Sequence, residues 1–110
     1  MADNMDKSIE EVAHIYKALS NPRRIAIILF LMHQPNRVSV STITSALDLS
    51  QPIVSKQLNV LYRYQIVSKQ KRGLSVLYTV DDPHIVEMIQ DMMEHVKHEM
   101  VGKPHPKNLF

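Results

Sequence analysis

Apolar residues recur at three- and four-residue spacing in the first part of the chain (Ile9, Val12, Ala13, Tyr16, Leu19) and predict an amphipathic helix. Asp6 or Ser8 can cap it, and Ser8 with Glu11 has the capping-box spacing, so residues 1–5 are expected to form a loose arm. Ser20-Asn21-Pro22 ends this helix and starts another, with Asn21 as cap and Pro22 as first residue. The second helix, residues 22 to about 33, is apolar on nearly every side and should run through the core. Gln34-Pro35-Asn36-Arg37 reads as a turn. Two short helices follow. Ser39 caps one that runs to about Leu47, with Ile43, Ala46 and Leu47 inward, and Asp48-Leu49 turns the chain. Ser50 caps the next, where Pro52 falls in the first turn and its missing N–H costs little. Val54, Leu58 and Leu61 make the inner seam of this helix, while Gln51 lies at its tip and Pro52, Ser55, Lys56, Asn59 and Arg63 face outward.

At Ile66 the period changes. Residues 66–71 and 75–80 are rich in branched and aromatic side chains and read as β-strands. Arg72-Gly73-Leu74 joins them, with Gly73 free to take positive φ, and Lys69, Lys71 and Arg72 gather near the tip. A short helix, a tight turn and a second helix with a polar, partly basic face is the helix-turn-helix pattern, and a hairpin directly after it is a wing. The expected fold is therefore mainly α with a β-hairpin wing: one winged helix-turn-helix domain over residues 1–110. Residues 99–110, with Gly102, Pro104 and Pro106, are expected to be a flexible tail.

With 110 residues, 45% hydrophobic and 22% charged, the chain fits a single small globular domain that gains from dimerisation. Its net charge of +2 permits nucleic-acid binding without demanding it. Singly, Lys56, Arg63, Lys69, Lys71 and Arg72 are ordinary solvated charges; the order of elements is what points them at DNA. The absence of cysteine excludes disulfides, thiolate metal sites and thiol catalysis. The longest apolar run, residues 25–32, is too short to span a bilayer, so no membrane partner is expected. The opening Met-Ala-Asp-Asn has no signal-peptide pattern, and a cytoplasmic location is the expectation.

The last helix carries the other candidate chemistry. Asp82 is a good N-cap and Pro83 a good first residue. At 100° per residue His84, His95 and His98 fall within an arc of about 60°, beside an apolar face of Ile85, Met88, Ile89, Met92, Met93 and Val96. Asp82 with these three imidazoles is a plausible tetrahedral N/O set for zinc or cobalt. One helix cannot close it, because His84 and His95 are separated by about 16 Å of rise while each ligand must come within about 2 Å of the ion. An antiparallel second copy closes it: its His95 and His98 lie beside the first chain's Asp82 and His84, and two-fold symmetry generates an equal second site. The spacing thus predicts a homodimer with two bridging metal sites. His14 and His33 read as surface or hydrogen-bonded residues, and His105 lies off the stripe. The run His95-x-x-His98-Glu99 matches neither metalloprotease motif, and four protein ligands leave no open position for substrate, so no enzyme is expected.

Over roughly residues 9–98 the chain resembles the ArsR/SmtB family of winged-helix repressors. The resemblance is carried by Ala18-Leu19-Ser20-Asn21-Pro22-Arg23-Arg24, by Leu49-Ser50-Gln51-Pro52-Ile53-Val54-Ser55-Lys56-Gln57-Leu58, and by Arg72-Gly73 before Tyr78. The set Asp82, His84, His95 and His98 resembles the last-helix site of the zinc- and cobalt-sensing, CzrA-like branch, which is shared across the dimer. The resemblance implies a dimer built through the first and last helices, bound to operator DNA and released when zinc or cobalt rises. It also implies a link in which His95, through its ring nitrogen away from the metal, donates to a backbone carbonyl near Gln65. Contacts to DNA are expected from Gln51, Ser55, Lys56, Asn59, Arg63, Lys69, Lys71 and Arg72. Because Pro52 and Ile53 stand where many relatives carry polar residues, Gln51, Ser55 and Lys56 are the best candidates for reading bases. The competing expectation is a winged-helix regulator whose histidines are structural and which answers another signal or none.

Overall fold

The computed structural model describes residues 3–102, with side chains described for residues 4–100. The order of elements is α1 (Asp3–Leu19), α2 (Pro22–Met32), β1 (Val38–Ser39), α3 (Val40–Leu47), α4 (Gln51–Arg63), β2 (Ser68–Arg72), β3 (Ser75–Thr79) and α5 (Pro83–Gly102). It is a mainly helical winged helix-turn-helix closed by a small antiparallel sheet.

Polar caps set the helix starts. Asn21 Oδ1 accepts from the backbone N–H groups of Arg23 (2.9 Å) and Arg24 (3.2 Å), and Ser39 and Ser50 cap α3 and α4 through their hydroxyls. The first helix departs from expectation. It begins at Asp3 rather than after Asp6 or Ser8, and the Ser8 hydroxyl donates to the Asn4 carbonyl at 2.9 Å, an interior back-bond and not a cap. Most of the expected arm is thus helix, with residues 1 and 2 outside the described range.

α2 runs through the centre as its pattern demands: Ile27, Ile28 and Leu31 are buried. Around it pack Ile43 of α3, the Val54–Leu58–Leu61 seam of α4, and Ile85 and Ile89 from the first half of α5. Each such side chain contributes about 1.5–3 kcal/mol of burial. Ala46, expected inside, is exposed, and Leu47 is half-buried. Eight-residue α3 has only two turns and puts Ile43 alone fully into the core.

Two left-handed residues make the sharp corners. Asp48 (φ 53) ends α3, and Gln65 (φ 62) ends α4. Beyond α4 the Ile66 N–H donates to the Leu61 carbonyl at 2.9 Å and the Gln65 N–H to Tyr62 at 3.0 Å, closing the helix with its last carbonyls occupied. Ile66 and Val67 belong to this corner and are buried there, so the second strand starts at Ser68 and not at Ile66. Their branched side chains fill the core rather than a ladder. β2 and β3 pair in register Lys69↔Tyr78 and Lys71↔Val76, joined by a two-residue loop with Gly73 at φ 59. A further strand, β1, pairs Val38 with Tyr78 and Ser39 with Leu77, giving the order β1-β3-β2. Two residues leave no period to read. At the other end α5 continues to Gly102, so residues 99–102 of the expected tail are helix, and its remainder, 103–110, lies outside the described residues.

Candidate nucleic-acid interface and metal ligands

α4 divides into two faces. Its seam is fully buried, while Gln51, Lys56, Asn59 and Arg63 are exposed and Ser55 is half-buried. The wing stands beside it. Lys69 shares a sheet face with Tyr78, and its Nζ sits 4.1 Å from the centre of the Tyr62 ring, a cation–π contact tying the wing to the end of α4. Lys69 thus reaches toward the end of α4 while remaining exposed, and Lys71 and Arg72 are exposed nearer the loop.

On the opposite face of the sheet Arg72 and Arg37 line one groove of about 310 Å³ with Leu77, Thr79 and Asp81. Arg37 also lies 3.9 Å from the Asp81 carboxylate, which is 3.5 Å from the Ser68 hydroxyl. Arg37, read from the sequence as part of a turn, thus adds a cation to the wing. The pairing of two further residues, Arg24 and Gln57, escaped the sequence reading. Arg24 donates through Nη1 to Gln57 Oε1 at 2.8 Å and through Nε to the Ala18 carbonyl. These side chains are 33 positions apart, and no local pattern pairs them.

The metal-ligand candidates fall into two halves. At the start of α5, Asp82 Oδ1 accepts from the His84 N–H at 2.8 Å and lies 3.3 Å from His84 Nδ1. The imidazole itself is 93% exposed. His95 and His98 stand three turns further along, both exposed, with His98 Nε2 3.8 Å from Glu94. Among the described residues of one chain, no three His, Cys, Asp or Glu side chains converge on a metal position. The donors present, carboxylate and imidazole without thiolate, suit zinc or cobalt. Gln65 and Asp82 line a common groove of about 450 Å³ with Tyr62, Arg63, Val67, Ser68 and Asp81, so the end of α4 and the start of α5 meet there. His14 rests 6.0 Å from the Tyr64 ring, and His33 Nδ1 lies 2.7 Å from the Leu29 carbonyl. Both are held within their own surroundings.

A helix-turn-helix with a hairpin wing, a buried inner seam and a polar, basic outer face defines a DNA-binding transcriptional regulator, a class distinct from enzymes. The chain belongs to the arsR family of bacterial regulatory proteins, whose model matches residues 21–69. It is 33% identical over 86 residues to the transcriptional activator HlyU of Vibrio cholerae, spanning 78% of each chain. It is 29% identical over 93 residues to the transcriptional repressor SmtB of Mycobacterium tuberculosis, spanning 84% of this chain and 67% of that one. Among solved structures, the homodimeric winged helix-turn-helix domain Mb0332 of Mycobacterium bovis matches with a TM-score of 0.83 over 96% of both chains, at 20% identity, a likeness of fold. No described helix is long and apolar enough to cross a membrane.

Proposed function

We propose that the protein is a homodimeric, cytoplasmic repressor that binds operator DNA and releases it when zinc or cobalt occupies sites shared between the subunits. The observation that carries this reading is the division of the donors. Asp82 and His84 stand together at one end of α5, His95 and His98 stand on its other half, and the flank between them, Met92, Met93 and Val96, is exposed apolar surface. An antiparallel α5 from a second copy covers that surface and brings the two halves together twice.

On DNA, the exposed faces of two α4 helices enter successive major grooves about 34 Å apart. Gln51, Ser55 and Lys56 are the base-reading candidates. Asn59, Arg63, Lys69, Lys71 and Arg72 take phosphates. Asp82 and His84 of one subunit, with His95 and His98 of the other, would hold the metal, whose bonds to imidazole and carboxylate would tie the subunits together. Gln65 then offers its carbonyl to the second copy's His95, which ties α5 to the corner after α4. Its place beside Asp82 in one groove supports this link. A dimer fixed in a pose that does not span both half-sites binds DNA less well by a coupling free energy of about 1–3 kcal/mol, and DNA weakens metal by the same factor.

The test is His95→Ala. The variant is expected to bind operator DNA as the unaltered protein does and to stay bound when zinc is added; zinc-induced release of the variant would remove this site as the sensor. Cobalt(II) titration supplies the direct readout, since a tetrahedral N/O site absorbs strongly in the visible. One observation favours a second reading, in which the histidines are structural: His84 and His98 each lie within 4 Å of a carboxylate on their own helix or its cap. In that case cobalt gives no tetrahedral spectrum.

A further inference from the structure

Gln57 lies on the inner side of α4 among Val54, Leu58 and Leu61, and only 6% of it is exposed. Among the described residues it is the one polar side chain that the core buries. A leucine or methionine would fill this position without the cost of taking an amide out of water. The amide is instead engaged by a guanidinium, at 2.8 Å to Oε1. The same guanidinium donates to the carbonyl of Ala18, in the last turn of α1 where carbonyls have no helical partner. Arg24 itself springs from the first turn of α2, held there by the Asn21 cap. One side chain thus joins the end of α1, the start of α2 and the buried side of the recognition helix.

The physical difference between this clamp and the seam around it is direction. Apolar packing is non-directional and tolerates a small rotation or slide of α4 on α2. A charge-assisted hydrogen bond to a planar guanidinium does not. Reading base edges demands placement of the outer face to within about 0.5 Å, a tolerance that packing of a thirteen-residue helix does not guarantee. We infer that the Arg24–Gln57 clamp is a positioning device that fixes the rotation of α4 relative to α1 and α2, and so sets sequence discrimination rather than the strength of DNA binding as such. Gln57 touches no base; it acts through Gln51, Ser55 and Lys56 on the opposite face. The inference rests on α4 being the DNA-reading helix.

To test it, the full-length wild-type protein is used to select duplexes from a random pool. Binding to the selected duplex and to a scrambled duplex of equal composition is then followed by fluorescence anisotropy. Gln57→Met should weaken binding to the selected duplex about tenfold, the scale of one mismatched base pair. Binding to the scrambled duplex depends on charge alone and should stay within about twofold. Gln57→Glu keeps an acceptor at the same reach and should bring the selected duplex back to within about threefold of wild type. Where Gln57→Met does not fold, as judged by circular dichroism, Arg24→Lys carries the same comparison, keeping the charge and losing the fork. The inference is overturned if the folded variant binds the selected duplex as wild type does, loses both duplexes equally, or is not improved by glutamate. A wild-type protein that enriches no duplex removes the DNA-reading role of α4, and the inference with it, which separates that failure from the others.

Discussion

Gln65 and Gly73 share a left-handed φ, 62° and 59°, a region that suits glycine and strains a residue with a Cβ. No atom lies within 4 Å of a Cβ built on Gly73, so the left-handed φ alone calls for glycine there. Gly73→Ala should therefore cost about 1 kcal/mol, and Gln65→Gly should add about 0.5–1 kcal/mol, both read from urea unfolding. The gain at Gln65 leaves its carbonyl in place, so Gln65→Gly is also expected to preserve the proposed coupling to α5. The two positions differ in legibility for the same reason. Glycine between two β-type runs announces a turn, whereas a glutamine gives no left-handed signal, and so Ile66 and Val67 read as strand when they are the corner. Arg24 and Gln57 were illegible on other grounds: their bond spans 33 residues, and sequence spacing reports only neighbours.

At the scale of elements, α4 was almost wholly legible because its two faces follow one period. Val54, Leu58 and Leu61 are inside, and Gln51, Lys56, Asn59 and Arg63 outside, as the 3.6-residue repeat requires. Adjacent positions should then behave as if they belonged to different proteins. Leu58→Ala, at a fully buried site, should cost about 3 kcal/mol in chemical denaturation. Asn59→Ala should change stability by less than about 0.5 kcal/mol and report only in DNA affinity. The shorter elements were less legible. β1 has two residues and α3 eight, too few to average out single side chains, which is why β1 escaped notice and Ala46 was assigned inward. The wing hairpin was visible, but its attachment through Lys69 and Tyr62 depends on how two elements meet, and neither pattern alone contains that.

For the molecule as a whole, the decisive fact is what a single chain leaves in water. α1 exposes Ile9, Val12 and Tyr16, and α5 exposes Met92, Met93 and Val96, each more than 40% accessible. Periodicity identified both apolar stripes but could not say what covers them, because a stripe reads the same whether it faces its own core or a copy of itself. Ile85 and Ile89, from the same stripe of α5, do enter the chain's own core, so the helix changes partner along its length. An uncovered apolar surface on two helices marks an interaction site. Under the function proposed above, self-association through it would account for both the split donor set and a pair of DNA-reading helices. Ile9→Asp combined with Val96→Asp replaces exposed apolar surface and leaves the core residues untouched. The doubly substituted chain should keep its helical circular dichroism, sediment as a monomer, and lose the cobalt(II) absorption and tight operator binding together. His95→Ala should separate those losses, staying dimeric and DNA-bound while losing only the response to metal. A double variant that remains a dimer would place the interface elsewhere, and α5 would then have no second copy to complete its ligands.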